Sequence, residues 1–435
     1  MPGMKSRLLP WAPPQNYAAA IDRKFDDMAF LFSSQDFGYS EHRSIIGCLK
    51  VEEIQTHNWN SFEQAIKPEE APFNQFWMGY LGYGLKNDLE SLPVDSPTYI
   101  EMPDLWMTRY AILLVFDHKS ETCTAYYQDD ESFDQIPIPI EGNLSVINDT
   151  IAKSIDSNMT KDVYLEKVSR VLEAIHRGDL YQANLTRKFH GILRKRPETF
   201  SVFLDLCKKS PSPYSCYLKM GKTRILSSSP EQFLKMTADR DVEARPIKGS
   251  APRFKNKKQD DASRQFLSAS AKDQSENLMI VDLMRNDLSR GSETGSVSTQ
   301  DMFKITSFET VHHMSSTIKA KRKAEVSALT LIKGAFPPGS MTGTPKIKAM
   351  TVCSNLEKQR RGVYSGALGW ISGDGSADLS VVIRTLLIRE DKFEFQAGGA
   401  IVADSTPEGE WEETLVKCRA VAAVLGLNAQ SDLSF

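Results

Sequence analysis

No apolar run in this chain is long enough to cross a bilayer: the longest, AILLVF at Ala111–Phe116, falls far short of the roughly 20 residues that a spanning helix needs. The opening MPGMKSRLLPWAPP carries basic residues but no apolar h-region, so the chain reads as soluble and unexported. Charge of either sign is not in excess. With 53 Lys and Arg against 56 Asp and Glu, a formal net charge of -3 leaves no basic face of the kind that nucleic acid or an anionic membrane requires. Neither partner is expected. Cysteine is scattered: Cys48, Cys123, Cys207, Cys216, Cys353 and Cys418 form no CxxC pair, which fits reduced cytoplasmic thiols rather than disulfides or a zinc site. Repeats and low-complexity tracts are absent. So is a phosphate loop, because PPGSMTGTPK places Thr344 and Pro345 between Gly343 and Lys346, where GxxxxGK[ST] allows nothing.

What is present is chain enough, at 435 residues, for one large interleaved domain or up to three smaller ones. FWMGYLGYGL and RYAILLVFDH read as strands between polar turns, and an acidic stretch rich in Pro and Asn then interrupts. A boundary near 130–158 is expected there, dividing an N-terminal subdomain, 1–158, from a second unit, 159–435. Beyond it Thr160 can cap a helix whose Tyr164, Val168, Val171, Leu172 and Ile175 share a face, ending near Gly178. LYQANLT then alternates like a half-buried strand. Further strands are expected at 214–219, 224–228, 364–372, 379–389 and 393–402, with helices near 260–272, 276–290, 325–335, 345–357 and 407–425. Strands outnumber the βαβ alternations of a parallel sheet, so the expected class is α+β, with antiparallel sheets and helices outside them.

Two of these helices concentrate acids. Thr406 and Pro407 open the last one, Trp411, Leu415, Cys418, Ala422 and Leu425 form its buried stripe, and Glu410, Glu413 and Lys417 cluster on another. In KDQSENLMIVDLMRNDLSR, Asp273 and Glu276 stand at a helix entry above the apolar Ile280, Leu283, Met284 and Leu288. On spacing alone two plain readings stay open, a surface Glu413–Lys417 pair and first-turn acids complementing the helix dipole. A third is a hard, oxygen-seeking ion such as Mg²⁺, since no His or Cys stands alongside the four carboxylates.

GDLYQANLT, SSSPEQFL, RPIKGS, SENLMIVDLMRNDLSR, TVHHMSS, PPGSMTGTPK, YSGALGW, SVVIRT and AGGAIVADSTPEGEWEETLVK occur in that order, and together they resemble the motifs of the chorismate-utilising enzymes. The resemblance covers residues 160–425 densely and 1–130 loosely. It implies large antiparallel sheets packed face to face with helices outside, and a chorismate-binding catalytic domain at 159–435. It also implies Mg²⁺ between the substrate ring carboxylate and the acidic helices, with Glu276 and Glu413 as principal ligands and Asp273 and Glu410 nearby or water-linked. Tyr364, Arg384, Gly398, Gly399 and Lys417 correspond to positions that hold substrate carboxylates, a task suited to the planar fork of Arg384. Ser250, His313 and Thr342 correspond to further pocket contacts. Near the start, FLFSSQDFGYSEHRSIIG is similar to a tryptophan-binding segment, with Ser34 and Arg43 at the matching positions and Ser33 where relatives carry glutamate.

The most telling position is Lys248 in RPIKGSAPR. By resemblance, alanine there goes with direct attack by ammonia or water, and lysine with formation of 4-amino-4-deoxychorismate, on the way to p-aminobenzoate and folate. A free lysine, with its pKa of about 10.4, is a poor nucleophile at neutral pH, so this one must sit where a cation is disfavoured. The implied chemistry is attack of Lys248 on C2 of chorismate with loss of the C4 hydroxyl, protonated by Glu231, and then displacement of the lysine by ammonia at C4. Without a GxCxG-like thiol elbow in the chain, the ammonia is expected from a separate glutaminase subunit in a heterodimer. Gln182, where hydrating relatives carry a base lysine, argues against an isochorismate or salicylate synthase; anthranilate formation is the nearer alternative, opposed by Lys248. A non-catalytic scaffold would be expected to have lost some of Glu231, Glu276, Arg384 and Glu413, and all four are present.

Overall fold

The strand Gln182–Leu193 is buried along most of its length on both faces, as a strand covered by a layer on each side must be. Its odd residues Ala183, Leu185 and Phe189 enter an apolar core beneath helices, while Asn184 and Lys188 point the other way into a polar interior. The computed structural model, which describes residues 4–36, 42–66, 75–93, 96–142, 150–309 and 311–435, repeats this layering throughout.

All pairings between the described strands are antiparallel, and they form one continuous network with two arms. One arm passes from Lys5–Leu9 through Thr122–Tyr127, Leu105–Asp117, Arg43–Thr56, Asp27–Phe32, Tyr214–Met220, Thr223–Ser229, Thr385–Arg389 and Lys392–Ile401 to Gln182–Leu193. The other leaves the N-terminal half of Leu105–Asp117 and passes through Phe76–Leu81, Ala367–Ser372, Ala377–Val381, Gln232–Met236 and Asp241–Arg245 to Val311–Lys321. Phe76, Met78, Tyr80 and Leu368 from the second arm pack with Leu218, Met220, Ile225 and Leu387 from the first, so the arms lie face to face over a shared apolar layer. The sheets expected from the sequence are thus present, joined through one long strand.

Helices cover the outer faces. Lys161–His176, Thr199–Lys209 and Pro407–Val424 lie over the first arm, and Ala271–Ser289 and Ala328–Ala335 over the second. Thr160 caps the first of these by accepting the Val163 amide, and Tyr164, Val168 and Val171 are fully buried, a cap of about 1 kcal/mol added to a well-packed stripe. Several boundaries differ from expectation, among them the helix expected at 260–272, which is Lys257–Ala269, and the helix expected from 325, which begins at Ala328. The strand expected at 379–389 is two, Ala377–Val381 and Thr385–Arg389, because Arg384 adopts a left-handed backbone with φ of 50°. The strand expected from 364 begins at Ala367. The helix expected from 276 begins at Ala271, capped by the Ser270 hydroxyl. Chain segments on either side of residue 158 share the sheet, since Asp27–Phe32 pairs with Tyr214–Met220 and Phe76–Leu81 with Ala367–Ser372. Part of the segment similar to a tryptophan site, residues 37–41, lies outside the described residues.

Candidate active site

The constraint around Lys248 is a β-bulge. In the pairing with Val311–Lys321, Ile247 stands opposite Ser315 and Ser250 opposite His313, so Lys248 and Gly249 together face the single residue Met314. A bulge of this kind re-aims a side chain out of the strand's alternation. Gly249 is required twice: its φ is +82°, and a Cβ there would come within 2.9 Å of the Asp273 side chain. The bulge therefore brings Lys248 to the entry of the Asp273 helix. Lys248 is half-buried and has no carboxylate within ion-pair distance among the described residues. Burial pushes its ammonium below the ordinary lysine range, with Lys417 acting in the same direction and Glu276, Glu231 and Glu413 opposing from a distance.

Glu231 stands just before the strand Gln232–Met236, fixed by its amide on the Ser229 hydroxyl at 3.3 Å and by its carbonyl, which accepts the Val381 amide at 3.0 Å. It is 5 % exposed, and burial raises its carboxyl to about 7 against the opposing pull of the Ser340 hydroxyl, the Lys248 ammonium and the Ile247 amide. Ser340, which sequence reasoning missed, lies on the tight turn Gly339–Met341. That turn is tied down by Arg361, whose guanidinium donates to the carbonyls of Met341 (2.8 Å) and Asn184 (2.7 Å) and pairs with Glu357 at 2.7 Å. Thr342 spends its hydroxyl proton on the Gly339 carbonyl at 3.1 Å, so only its lone pairs remain for a ligand.

The two acidic helices converge from opposite arms. Ser270 caps the first, putting Asp273 in the opening turn and Glu276 next to it, largely enclosed. Thr406 caps the second through the Gly409 amide. There Glu410 is 4 % exposed, with one carboxylate oxygen accepting from Ser405 at 2.7 Å and the other buried without a partner. Gly399 leaves the space for that oxygen, which a Cβ would fill. Glu413 binds Lys417 at 2.5 Å, and Lys417 also donates to the Gly398 carbonyl at 2.8 Å. Burial lifts Glu276 and Glu410 above the usual carboxylate range. Burial would lift Glu413 too, but Lys417 outweighs it and holds Glu413 below that range. Lys417 and Glu413 still meet solvent through the cleft, their side chains being 44 % and 43 % exposed.

Arg384 and His313 occupy the far wall. The enclosed Arg384 guanidinium is lowered to about 10 by burial, with Glu231 opposing. His313 is 3 % exposed, shares a hydrogen bond between Nδ1 and the Ser250 hydroxyl at 2.7 Å, and keeps Nε2 without a partner. Burial and the nearby Arg384 lower its pKa to about 3, so it is neutral at any ordinary pH. Tyr364 is buried near the Gly398 backbone. These groups surround Lys248 and Glu231, whereas the remaining two sequence candidates stand elsewhere. Arg43 lines a separate cavity of about 360 Å³ between the arms, together with Ser33, Tyr214 and Trp370. Ser34 turns its hydroxyl toward the Ser212 backbone at 3.3 Å.

The acid set suits a hard divalent cation by chemistry: all donors are carboxylate oxygens, one of them buried and unpartnered on Glu410. Among the described residues no three such groups already stand close enough to form a cage. A carboxyl held near neutrality and an amine lowered by burial, with Arg384 and Lys417 also present, suit covalent chemistry on an anionic substrate.

The chain is 37% identical over 353 residues to aminodeoxychorismate synthase component 1 of Escherichia coli K12, covering 81% of this chain and 77% of the relative. Its fold resembles anthranilate synthase component I of Streptococcus pneumoniae TIGR4, with a TM-score of 0.75, 27% identity and coverage of 87% and 91% of the two chains. The menaquinone-specific isochorismate synthase of Escherichia coli shares the fold at a TM-score of 0.77 and 15% identity, over 98% of this chain and 95% of that one. The sequence profile of the chorismate binding enzymes matches residues 21–423, which include every residue placed around Lys248, and the chain belongs to that family.

Proposed function

We propose that this chain is an enzyme that converts chorismate and ammonia to 4-amino-4-deoxychorismate and water through a covalent intermediate on Lys248. The observation that carries the reading is the pairing of Lys248, with its lowered pKa, and Glu231 at about 7. Near neutrality the acid is partly protonated, and burial favours the neutral, reactive form of the amine. The neutral amine of Lys248 attacks C2 and the ring double bond shifts. The C4 hydroxyl leaves as water with the proton of Glu231, and the attached nitrogen stays protonated, ready to leave as a neutral amine. Ammonia then attacks C4, the double bond shifts back and the C2–N bond breaks. Glu231 takes a proton from the incoming nitrogen, and Lys248 is regenerated.

Arg384, with Tyr364 and the Gly398–Gly399 backbone, is placed to receive substrate carboxylates, and Lys417 adds positive charge to the same wall. Ser250 and neutral His313 offer hydrogen bonds to the ring. Glu276 and Glu413, with Asp273 and Glu410, are the residues that would hold Mg²⁺, whose chemistry when bound is to neutralise a substrate carboxylate among acids. Ammonia is proposed to come from a separate glutaminase subunit, and the product to serve p-aminobenzoate and folate synthesis in the cytoplasm. Ser34 and Arg43 remain a proposed tryptophan-binding position; the cavity beside Arg43 supports it.

Incubating the protein with chorismate and Mg²⁺ but no ammonia, followed by intact mass and peptide mapping, tests the reading. An adduct on the Lys248 peptide is expected. Full conversion with ammonium and no trace of an adduct, together with unimpaired turnover by Lys248→Ala, would refute the covalent route.

A further inference from the structure

Arg384 is held at both ends by serines. Its carbonyl accepts the Ser228 amide at 3.2 Å, and Nη1 of its guanidinium donates to the Ser210 hydroxyl at 3.3 Å. Ser210 belongs to a closed cluster. Its carbonyl accepts from the Ser212 hydroxyl at 3.2 Å and also from the Ser228 hydroxyl, while the Ser212 hydroxyl also bonds the Ser228 carbonyl at 3.0 Å. Ser210, Ser212 and Ser228 are 5 %, 0 % and 0 % exposed. The Ser34 hydroxyl closes the far end on both the amide and the carbonyl of Ser212 at 3.3 Å.

Small hydroxyls contribute little apolar packing, and a buried network of them is costly unless every member is satisfied. A satisfied network is rigid, and the one flexible, charged side chain it reaches is Arg384. No carboxylate lies within ion-pair distance of that guanidinium among the described residues, so its fork is fixed from the serine side and left open on the other. We propose that Ser210 is the positioning residue of Arg384, and that Ser212, Ser228 and Ser34 buttress it from a segment remote in sequence. The proposal rests on the reading that Arg384 receives a carboxylate of chorismate.

The test is chorismate binding by calorimetry, with KM and kcat measured in ammonium, for wild type, Ser210→Ala, Ser210→Thr, Arg384→Lys and the double variant Ser210→Ala/Arg384→Lys. Ser210→Ala should weaken binding and raise KM by roughly tenfold, the scale of one hydrogen bond to a charged group, with kcat held within about twofold. Ser210→Thr, which keeps the hydroxyl, should recover most of the loss. The double variant should bind no more weakly than Arg384→Lys alone, because the two residues act as one unit. Unchanged binding in Ser210→Ala, losses that multiply in the double variant, or a loss confined to kcat would overturn the assignment. Should Ser210→Ala lose its cooperative melt, Ser210→Cys is read by the same criteria. A wild-type protein that binds no chorismate would instead overturn the functional reading beneath it.

Discussion

The bulge that carries Lys248 and the helix turn that carries Lys417 place two ammonium groups in one cleft, with opposite results. Lys417 has Glu413 at 2.5 Å and the Gly398 carbonyl at 2.8 Å, and although burial works against its charge, Glu413, Glu410 and Glu276 hold its pKa above the ordinary lysine value. Lys248 feels Glu276, Glu231 and Glu413 without touching them, and burial prevails. Within this cleft, hydrogen-bonding contact separates the two lysines: the one bound to a carboxylate is held up and the one without such contact is pushed down. Deeper in the molecule contact is not enough: Lys346 sits on Asp287 at 2.6 Å and Lys188 on Glu394 at 2.9 Å, yet burial holds both below the ordinary lysine range. Lys248 lacks such a contact, and its bulge is the cause.

The comparison breaks first at the nucleophile. Lys248→Ala should lower kcat by about 10⁴-fold, the order expected for removing a nucleophile, whereas Lys417→Ala should act chiefly on KM. Similar losses in kcat for both would erase the distinction. Next is the acid set. Excess chelator should stop turnover, and Glu276→Gln or Glu413→Gln should each cost about 10³-fold without lowering the melting temperature, consistent with several kcal/mol from a bound cation. Full activity in chelator would remove the ion from the proposal.

Stability gives the third test. The folded pKa of Glu231, about 7, lies above its ordinary value of 4.5, so the folded state holds a proton more tightly than the unfolded one. Its contribution is full below about pH 4.5 and falls as pH rises through 7, reaching about 3 kcal/mol of relative destabilisation above that. Glu231→Gln should therefore be more stable than wild type at pH 8, with the gap closing toward pH 5 in denaturant titrations. The smallest effect sharpens the comparison most. Since Lys417 depresses Lys248 and Glu231 alike, Lys417→Ala should move both limbs of the kcat/KM profile to higher pH. An acid limb that does not move would mean that the two lysines are uncoupled.

Much of this was legible in the sequence wherever the signal was local. The Thr406 cap and the buried stripe Trp411, Leu415, Cys418, Ala422 and Leu425 match the helix as built, because a cap and a 3.6-residue period need no distant partner. The break at Arg384 was not legible: SVVIRT alternates like a strand, and only the tertiary demand on the arginine forces a left-handed residue into it. The early start at Ala271 was hidden for a simpler reason, since two helices meet at Ser270, which ends one and caps the next. Ser340 and Ser210 carried no signal at all. Each is a serine in a Pro-rich turn, and its importance comes from Glu231 or Arg384, more than a hundred residues away in the chain. Lys248 stood out through the family resemblance of its RPIKGS motif, whereas the bulge that aims it depends on pairing with a strand more than sixty residues on.

The order of the strands also bears on how the chain comes to be folded. Lys392–Ile401 lies inside the first arm between Thr385–Arg389 and Gln182–Leu193, far along the chain from the latter, and it carries the Gly398 and Gly399 backbone of the cleft. A ribosome-bound chain cannot close that arm until this strand has emerged. Pairings such as Asp27–Phe32 with Tyr214–Met220 likewise span most of two hundred residues. Long loops must close before their contacts return any stabilisation, which makes folding slow and leaves unpaired edges exposed in the meantime. Assembly of the cleft thus waits for this strand, and a nascent chain arrested before Lys392 should remain open to protease across the first arm.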